Sequence, residues 1–188
     1  AKKNMNADRK EKLIKDVLKY AQHSQSNDHF TPTDLNERVE HIKEDFELVI
    51  EEKQAKVSNS ALPVVRGIPI QLRQLFSNLF ANSMKFALQN PVVEIYSEWV
   101  PDSEVKSFPQ LNSIYNYVKI VFKDNGVGFE QEYAEKIFKL FQRLTDSKNG
   151  TGIGLALCRK ISENHNGHIT ATSMPNKGTT FNIYLPVF

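Results

Sequence analysis

Two asparagines and a lysine share one face of a segment with helical periodicity. Asn78, Asn82 and Lys85 stand at i, i+4 and i+7 within Gln74-Leu-Phe-Ser-Asn78-Leu-Phe-Ala-Asn82-Ser-Met-Lys85. Asparagine costs up to roughly 0.7 kcal/mol against alanine in a helix interior, so two of them there suggest a purpose. An amide oxygen can ligate Mg²⁺, which prefers hard oxygen donors and keeps water and phosphate oxygens in its shell. A lysine supplies a point charge for phosphate. An ordinary solvated helix face has the same pattern, and this segment alone does not separate the two readings.

Two glycine clusters follow. In Asp124-Asn-Gly126-Val-Gly128-Phe129 a carboxylate ends an apolar strand and precedes a flexible turn. There it can accept from an exocyclic amine of the kind adenine has and guanine lacks, so adenine is the expected base. Gly126 and Gly128 would let the backbone approach a flat ring without Cβ collisions. A plain Asp-Asn-Gly turn is the alternative. In Gly150-Thr151-Gly152-Ile153-Gly154-Leu155, small residues expose successive N–H groups at the start of a helix, where phosphate is favoured. Leu155 occupies the place of the last glycine of a dinucleotide fingerprint, and no Gly-Lys-Ser/Thr ending marks a P-loop.

The surrounding elements must hold these groups together. Leu13, Val17 and Ala21 predict an amphipathic helix over 8–24, with a linker by composition over 24–32. A helix is expected from Thr33 or Asp34 to about Lys53, with Glu37 placed for a capping box. Pro69 suits the first position of a third helix, 69–89, with Leu72, Leu75, Phe76, Leu79 and Phe86 on its core side. Strands are expected at 57–63, 92–100, 117–123, 168–174 and 179–186, and helices at 130–139 and 153–165. Residues 101–115 read as an exposed loop. The expected architecture is an α/β (α+β) two-layer sandwich, a mixed sheet covered on one face by helices, with an N-terminal helical remnant.

The 188 residues allow one ample domain plus an appendage, and 40% hydrophobic residues suffice for a core. A net charge of +2 makes no electrostatic case for nucleic acid or a membrane surface. The first 20 residues carry seven Lys or Arg against three acids. That basic helix is read as one whose apolar face needs a partner helix. The single cysteine, Cys158, excludes an internal disulfide and reads as a buried structural thiol. No apolar run reaches the roughly 18 residues needed to span a bilayer.

The order and spacing of the motifs resemble the ATP-binding catalytic domain of sensor histidine kinases, in the superfamily shared with DNA gyrase, the Hsp90 chaperones and the mismatch-repair ATPases. Gln74–Phe86 matches that family's asparagine box, and 124–129 and 150–155 its two glycine boxes. Ile137-Phe138-Lys-Leu-Phe141-Gln-Arg143 matches its phenylalanine box, and Gly178-Thr-Thr180-Phe its closing strand. The resemblance covers residues 31–188 and extends to residues 13–20, which look like the end of a dimerisation helix. It divides the chain into 1–30, a dimerisation remnant with linker, and 31–188, the catalytic domain. It implies ATP and Mg²⁺ as ligands. Asn82 would hold the metal, with Asn78, Lys85 and the loop Gly150-Thr151-Gly152-Ile153-Gly154-Leu155 around the nucleotide. Asp124 would bind the adenine amine with Gly126, Gly128 and Thr180 nearby, and Arg143 would assist the transferring phosphoryl group. Residues 142–152 would form a short lid anchored by Phe138 and Phe141.

Two departures refine the expectation. Hydrolytic relatives carry a glutamate where this chain has Asn78, and an amide cannot take a proton from water at neutral pH. Transfer to a protein acceptor is therefore favoured over hydrolysis. None of the five histidines has the acceptor context of an acidic residue followed by proline; all read as surface or turn residues. The acceptor is expected upstream, on a dimerisation domain of a homodimeric parent kinase that relays phosphate to a response regulator. A cytoplasmic location is expected for this portion.

Overall fold

The computed structural model describes residues 14, 17–18, 29–144 and 150–187. In chain order the elements are β1 (Thr31–Asp34), α1 (Leu35–Asp45), α2 (Glu47–Glu52), β2 (Lys56–Asn59), β3 (Val64–Gly67) and α3 (Pro69–Lys85). There follow β4 (Val92–Trp99), α4 (Asp102–Ser107), β5 (Asn116–Asp124), α5 (Gly154–Asn164), β6 (His168–Met174) and β7 (Gly178–Val187). Two 3₁₀ turns, Gln131–Tyr133 and Lys136–Phe138, stand where a helix over 130–139 is expected.

Alternation along β5 and β7 builds the centre of a five-stranded sheet ordered β2-β4-β5-β7-β6. Strands β2 and β4 run parallel and the other neighbours antiparallel. Across the β5–β7 pair, Val118 faces Leu185, Ile120 faces Ile183 and Phe122 faces Phe181. All six are buried on the helix-covered face. A slip of one residue would turn the whole set to the other face, so burial sets the register. Helix α3 lies between α1 and α5 over this face. Its Leu72, Leu75, Phe76, Leu79, Phe80 and Met84 are buried, while the polar stripe of Asn78, Asn82 and Lys85 stays outside the core. This is the expected mixed sheet with one helix layer.

Pro69 starts α3 as expected, but the helix ends at Lys85 rather than near residue 89. Phe86 caps it and turns toward the site instead of the core. Asp34 caps α1 by accepting from Asn36 N at 2.8 Å, while Glu37 pairs with Arg38 rather than closing a capping box. The expected helix to Lys53 breaks at Phe46, whose ring tilts against Phe80 at 5.0 Å. Residues 31–34, which span the expected linker end and helix start, instead form a small antiparallel sheet with β3. Of the expected helix over 8–24, Ile14, Val17 and Leu18 are described, helical and exposed; its other residues, His23 included, lie outside the described residues.

Residues 101–115 are not a bare exposed loop. Helix α4 brings Val105 and Leu111 onto Val100, Tyr117 and Tyr184, a second apolar cluster on the opposite face of the sheet. Tyr117 and Tyr184 are too large to leave uncovered there. The Tyr117 hydroxyl donates to Asn166 O at 2.9 Å and accepts from Asn112 N at 3.1 Å. Two of the histidines also depart from the surface reading. His165 is 1% exposed, its Nε2 accepting from Ile68 N at 2.9 Å and its Nδ1 lying 2.7 Å from Ile161 O. Burial disfavours the charged ring and lowers its pKa, with the bond to Ile161 O opposing that fall. His168 is buried beneath Phe108 and Tyr184. His29 and His41 are exposed. Cys158 is fully buried, and burial pushes its thiol up to about 12. Among the described residues no helix is long and apolar enough to cross a membrane.

Candidate functional site

A cleft of about 410 Å³ opens between α3, the loop after β5 and the segment leading into α5. It brings together Asn78, Asn82, Lys85, Asp124, Gly128, Arg143 and the run Gly150–Leu155. Residues from three distant stretches of sequence thus meet in one concavity. Gly126 and Thr180 do not line it. Thr179 lines it instead, since the pleat that turns Phe181 and Ile183 inward turns Thr179 inward and Thr180 outward.

The asparagines on α3 have different duties. Asn78 Oδ1 accepts from Gln74 Nε2 at 3.0 Å, and its Nδ2 donates to Gly154 O at 3.2 Å. Its amide is therefore committed to holding the start of α5 against α3. Among the described residues no protein group hydrogen-bonds the Asn82 amide, one turn further along and half-buried at the cleft wall. Lys85 is exposed, and its Nζ sits 4.6 Å from the centroid of the Phe86 ring. A Cβ added to Gly150 would lie 2.6 Å from that Nζ, so the ammonium and the second glycine loop face each other closely. Replacing Asn78 with alanine is expected to lower unfolding free energy by about 1–2 kcal/mol, because it removes two part-buried hydrogen bonds, to Gln74 and to Gly154. Urea denaturation measures this, and an unchanged midpoint would remove the strut assignment.

Asp124 closes the other wall, at the end of β5. Its Oδ1 accepts from Gly126 N at 2.9 Å and Thr179 N at 3.3 Å, and its Oδ2 from Ser83 Oγ at 3.0 Å. Burial raises its pKa, and these three donors oppose that rise. Ser83 and Thr179 carry this cradle, and neither was singled out from sequence. The alternation Thr179, Phe181, Ile183 was a sufficient signal for Thr179; Ser83 had none, being one hydroxyl among many.

The glycines after Asp124 serve the protein more than a ligand. Gly128 has φ +60, and a Cβ on it would lie 2.1 Å from Met174 O. A Cβ on Gly126 would lie 2.7 Å from Phe86 O. Both positions are closed by neighbouring backbone, not left open for a flat ring. The expected lid anchors also divide. Phe138 is buried, edge-on to Phe181 at 6.3 Å and under the Arg159 guanidinium at 4.4 Å. Phe141 is 59% exposed with φ +62, and it is its backbone N–H that anchors, donating to Gly152 O at 2.9 Å. Residues 145–149 of the expected lid lie outside the described residues.

The cleft is polar toward α3 and the glycine loop, and apolar toward Val127, Phe129, Ile137, Leu157 and Phe181. A flat heterocycle with an amine suits the second half, next to Asp124, and an anionic chain suits the first. The uncommitted Asn82 amide offers one hard oxygen, too little for a metal alone but fitting for Mg²⁺ that arrives with phosphate oxygens and water. Among the described residues no group of three or more His, Cys, Asp or Glu could hold a metal by itself.

Comparison with known proteins agrees with this geometry. Residues 67–188 match the family described as "Histidine kinase-, DNA gyrase B-, and HSP90-like ATPase". The chain is 36% identical over 178 residues to phytochrome-like protein Cph1 of Synechocystis, covering 93% of this chain and 22% of that protein. It is 37% identical over 122 residues to sensor protein kinase WalK of Staphylococcus haemolyticus, covering 63% of this chain and 18% of that protein. It therefore spans about a fifth of the length of these relatives. Among solved structures, the catalytic domain of histidine kinase ThkA matches with a TM-score of 0.67 and 27% identity, covering 84% of this chain and 97% of that one. Full-length ShkA, solved with AMPPNP, shares the fold with a TM-score of 0.75 at 21% identity, covering 96% of this chain and 36% of that one. Fold, motif order and family match converge: the chain belongs to the histidine kinase-, gyrase B- and HSP90-like ATPases, as an ATP-binding domain of the kind found in histidine-kinase catalytic domains.

Proposed function

We propose that this chain is the catalytic domain of a sensor histidine kinase. It binds MgATP and presents the γ-phosphoryl group to a histidine on a dimerisation helix, for relay to a response regulator. The division at residue 30 belongs to the same proposal, with 31–188 as the catalytic unit and the preceding residues leading from the dimerisation helix. The relatives named as sensor kinases support this reading.

The observation that carries it is the carboxylate inventory of the cleft. Asp124 is the sole carboxylate among the described lining residues, and its lone pairs are largely taken by Gly126, Thr179 and Ser83. Where a hydrolytic relative would place a base, Asn78 is tied to Gln74 and Gly154. Among the described lining residues no group is poised to take a proton from water, whereas phosphoryl transfer needs mainly positioning and charge neutralisation. Asn82 would hold Mg²⁺ together with phosphate oxygens, and the metal would supply charge neutralisation there. Lys85, Arg143 and the backbone N–H groups of Gly150–Leu155 would hold the phosphates. Asp124 orients the base.

Given labelled ATP alone, this chain is expected to gain almost no phosphate and to turn over ATP very slowly. A separate dimerisation domain carrying the acceptor histidine should become labelled, though poorly, since an untethered pair lacks effective concentration. Acid-labile label on each polypeptide decides the matter. Strong self-labelling at His23 or His41 would overturn the external acceptor, and brisk steady hydrolysis would instead favour a conformational ATPase. A melting temperature indifferent to nucleotide would favour a non-catalytic adaptor.

A further inference from the structure

The Asp124 carboxylate is held asymmetrically. Both backbone donors, Gly126 N at 2.9 Å and Thr179 N at 3.3 Å, converge on Oδ1. A single side-chain donor, Ser83 Oγ at 3.0 Å, reaches Oδ2. A carboxylate offers about four lone-pair sites. Both sites on Oδ1 are filled, and the one site left is on Oδ2, the oxygen that Ser83 holds. Ser83 is 4% exposed, sits next to Asn82 on α3 and does not line the cleft. It can act on a bound nucleotide only through Asp124.

Resting on the nucleotide reading above, we propose that Ser83 is a positioning residue for base selection, fixing Oδ2 of Asp124 as an acceptor for an adenine-type amino group. Geometry makes this oxygen the decisive one. A proton arriving on the carboxyl cannot settle on Oδ1, where two N–H groups already point, so it settles on Oδ2. A protonated Oδ2 offers an O–H instead of a lone pair. It then suits the carbonyl of a guanine-type base and loses its fit to an amine. The Ser83 hydroxyl opposes that inversion, since it bonds an ionised Oδ2 more strongly than a protonated one. The groups facing Asp124 are this hydroxyl from α3, Gly126 N–H from the loop and Thr179 N–H from β7; none is charged. Burial acts against the carboxylate, so losing one of three opposing donors must move its titration upward.

The test compares the whole chain with Ser83→Ala and Ser83→Thr, titrated with ATP and GTP from about pH 5 to pH 8. Carbon NMR of the Asp124 carboxyl is read in parallel without nucleotide. For Ser83→Ala the preference for ATP over GTP is expected to shrink about tenfold at neutral pH. The pH at which that preference fades, and the Asp124 midpoint, should both move upward. Ser83→Thr, which keeps the hydroxyl, should restore all three. A Ser83→Ala variant with an unchanged Asp124 midpoint and an unchanged ATP-to-GTP ratio overturns the proposal while leaving nucleotide binding intact. A wild-type chain that binds no adenine nucleotide overturns the nucleotide reading and the base-selection role together.

Discussion

Gly178→Ala is expected to cost a large share of the stability of the fold, roughly 2–5 kcal/mol. Gly178 opens β7 with φ +90, a backbone conformation that an L side chain resists by about 1–2 kcal/mol. A Cβ there would lie 1.9 Å from the Asp124 carbonyl oxygen and 2.7 Å from its carbon. Neither partner can retreat cheaply. Asp124 is paired with Thr179 across β5 and β7, and the Gly178 carbonyl accepts from the buried Ser173 hydroxyl at 2.8 Å. Overpacking of a rigid contact adds about 1–3 kcal/mol or more. Against a typical domain stability of about 5–15 kcal/mol, that is a loss large enough to read directly in the unfolding midpoint. Gly154→Ala is the control. A Cβ there meets nothing nearer than Asn78 Cγ at 3.9 Å, and alanine suits the first turn of α5. Urea denaturation of both variants is the measurement. A Gly178→Ala chain within about 1 kcal/mol of wild type would show that β7 does not approach Asp124 so closely.

The contrast between these glycines shows what the sequence could and could not reveal. Local patterns were legible. The alternation of Val118, Ile120 and Phe122 marked β5 and its core face, and Pro69 marked the start of α3. The 3.6-residue period put Asn78, Asn82 and Lys85 on one stripe, and the cleft lies along it. What a sequence does not display is non-local. Gly126 and Gly128 were read as clearance for a ligand, because a sequence does not show that Phe86 O and Met174 O occupy that space. Asn78 lines the cleft as expected, but its bond to Gly154 is invisible in the sequence because that partner lies far along the chain. Residues 101–115 look like loop by composition, and only the bulk of Tyr117 and Tyr184 on the far face explains why they fold back over it. The choice of Thr180 over Thr179 was different in kind, since the period of the strand already decided it.

The two asparagines of α3 yield the sharpest functional test because their expected failures are opposite. Asn82→Ala should leave the fold intact or raise its stability by a few tenths of a kcal/mol, since alanine is the better helix former. No protein hydrogen bond is lost, because none among the described residues is made by that amide. Mg²⁺-dependent ATP affinity should nonetheless fall roughly tenfold to a hundredfold, because the metal loses the protein ligand assigned to it on α3. The residual affinity should match that of the wild type without Mg²⁺, since Asp124, Lys85 and the loop from Gly150 to Leu155 remain in place. Asn78→Ala should show the reverse, a lower unfolding midpoint with the Mg²⁺ dependence retained. Calorimetric titration with and without Mg²⁺, paired with denaturation of each variant, separates the roles. Equal MgATP affinity for wild type and Asn82→Ala would move the metal to another ligand and undo the assignment of this face.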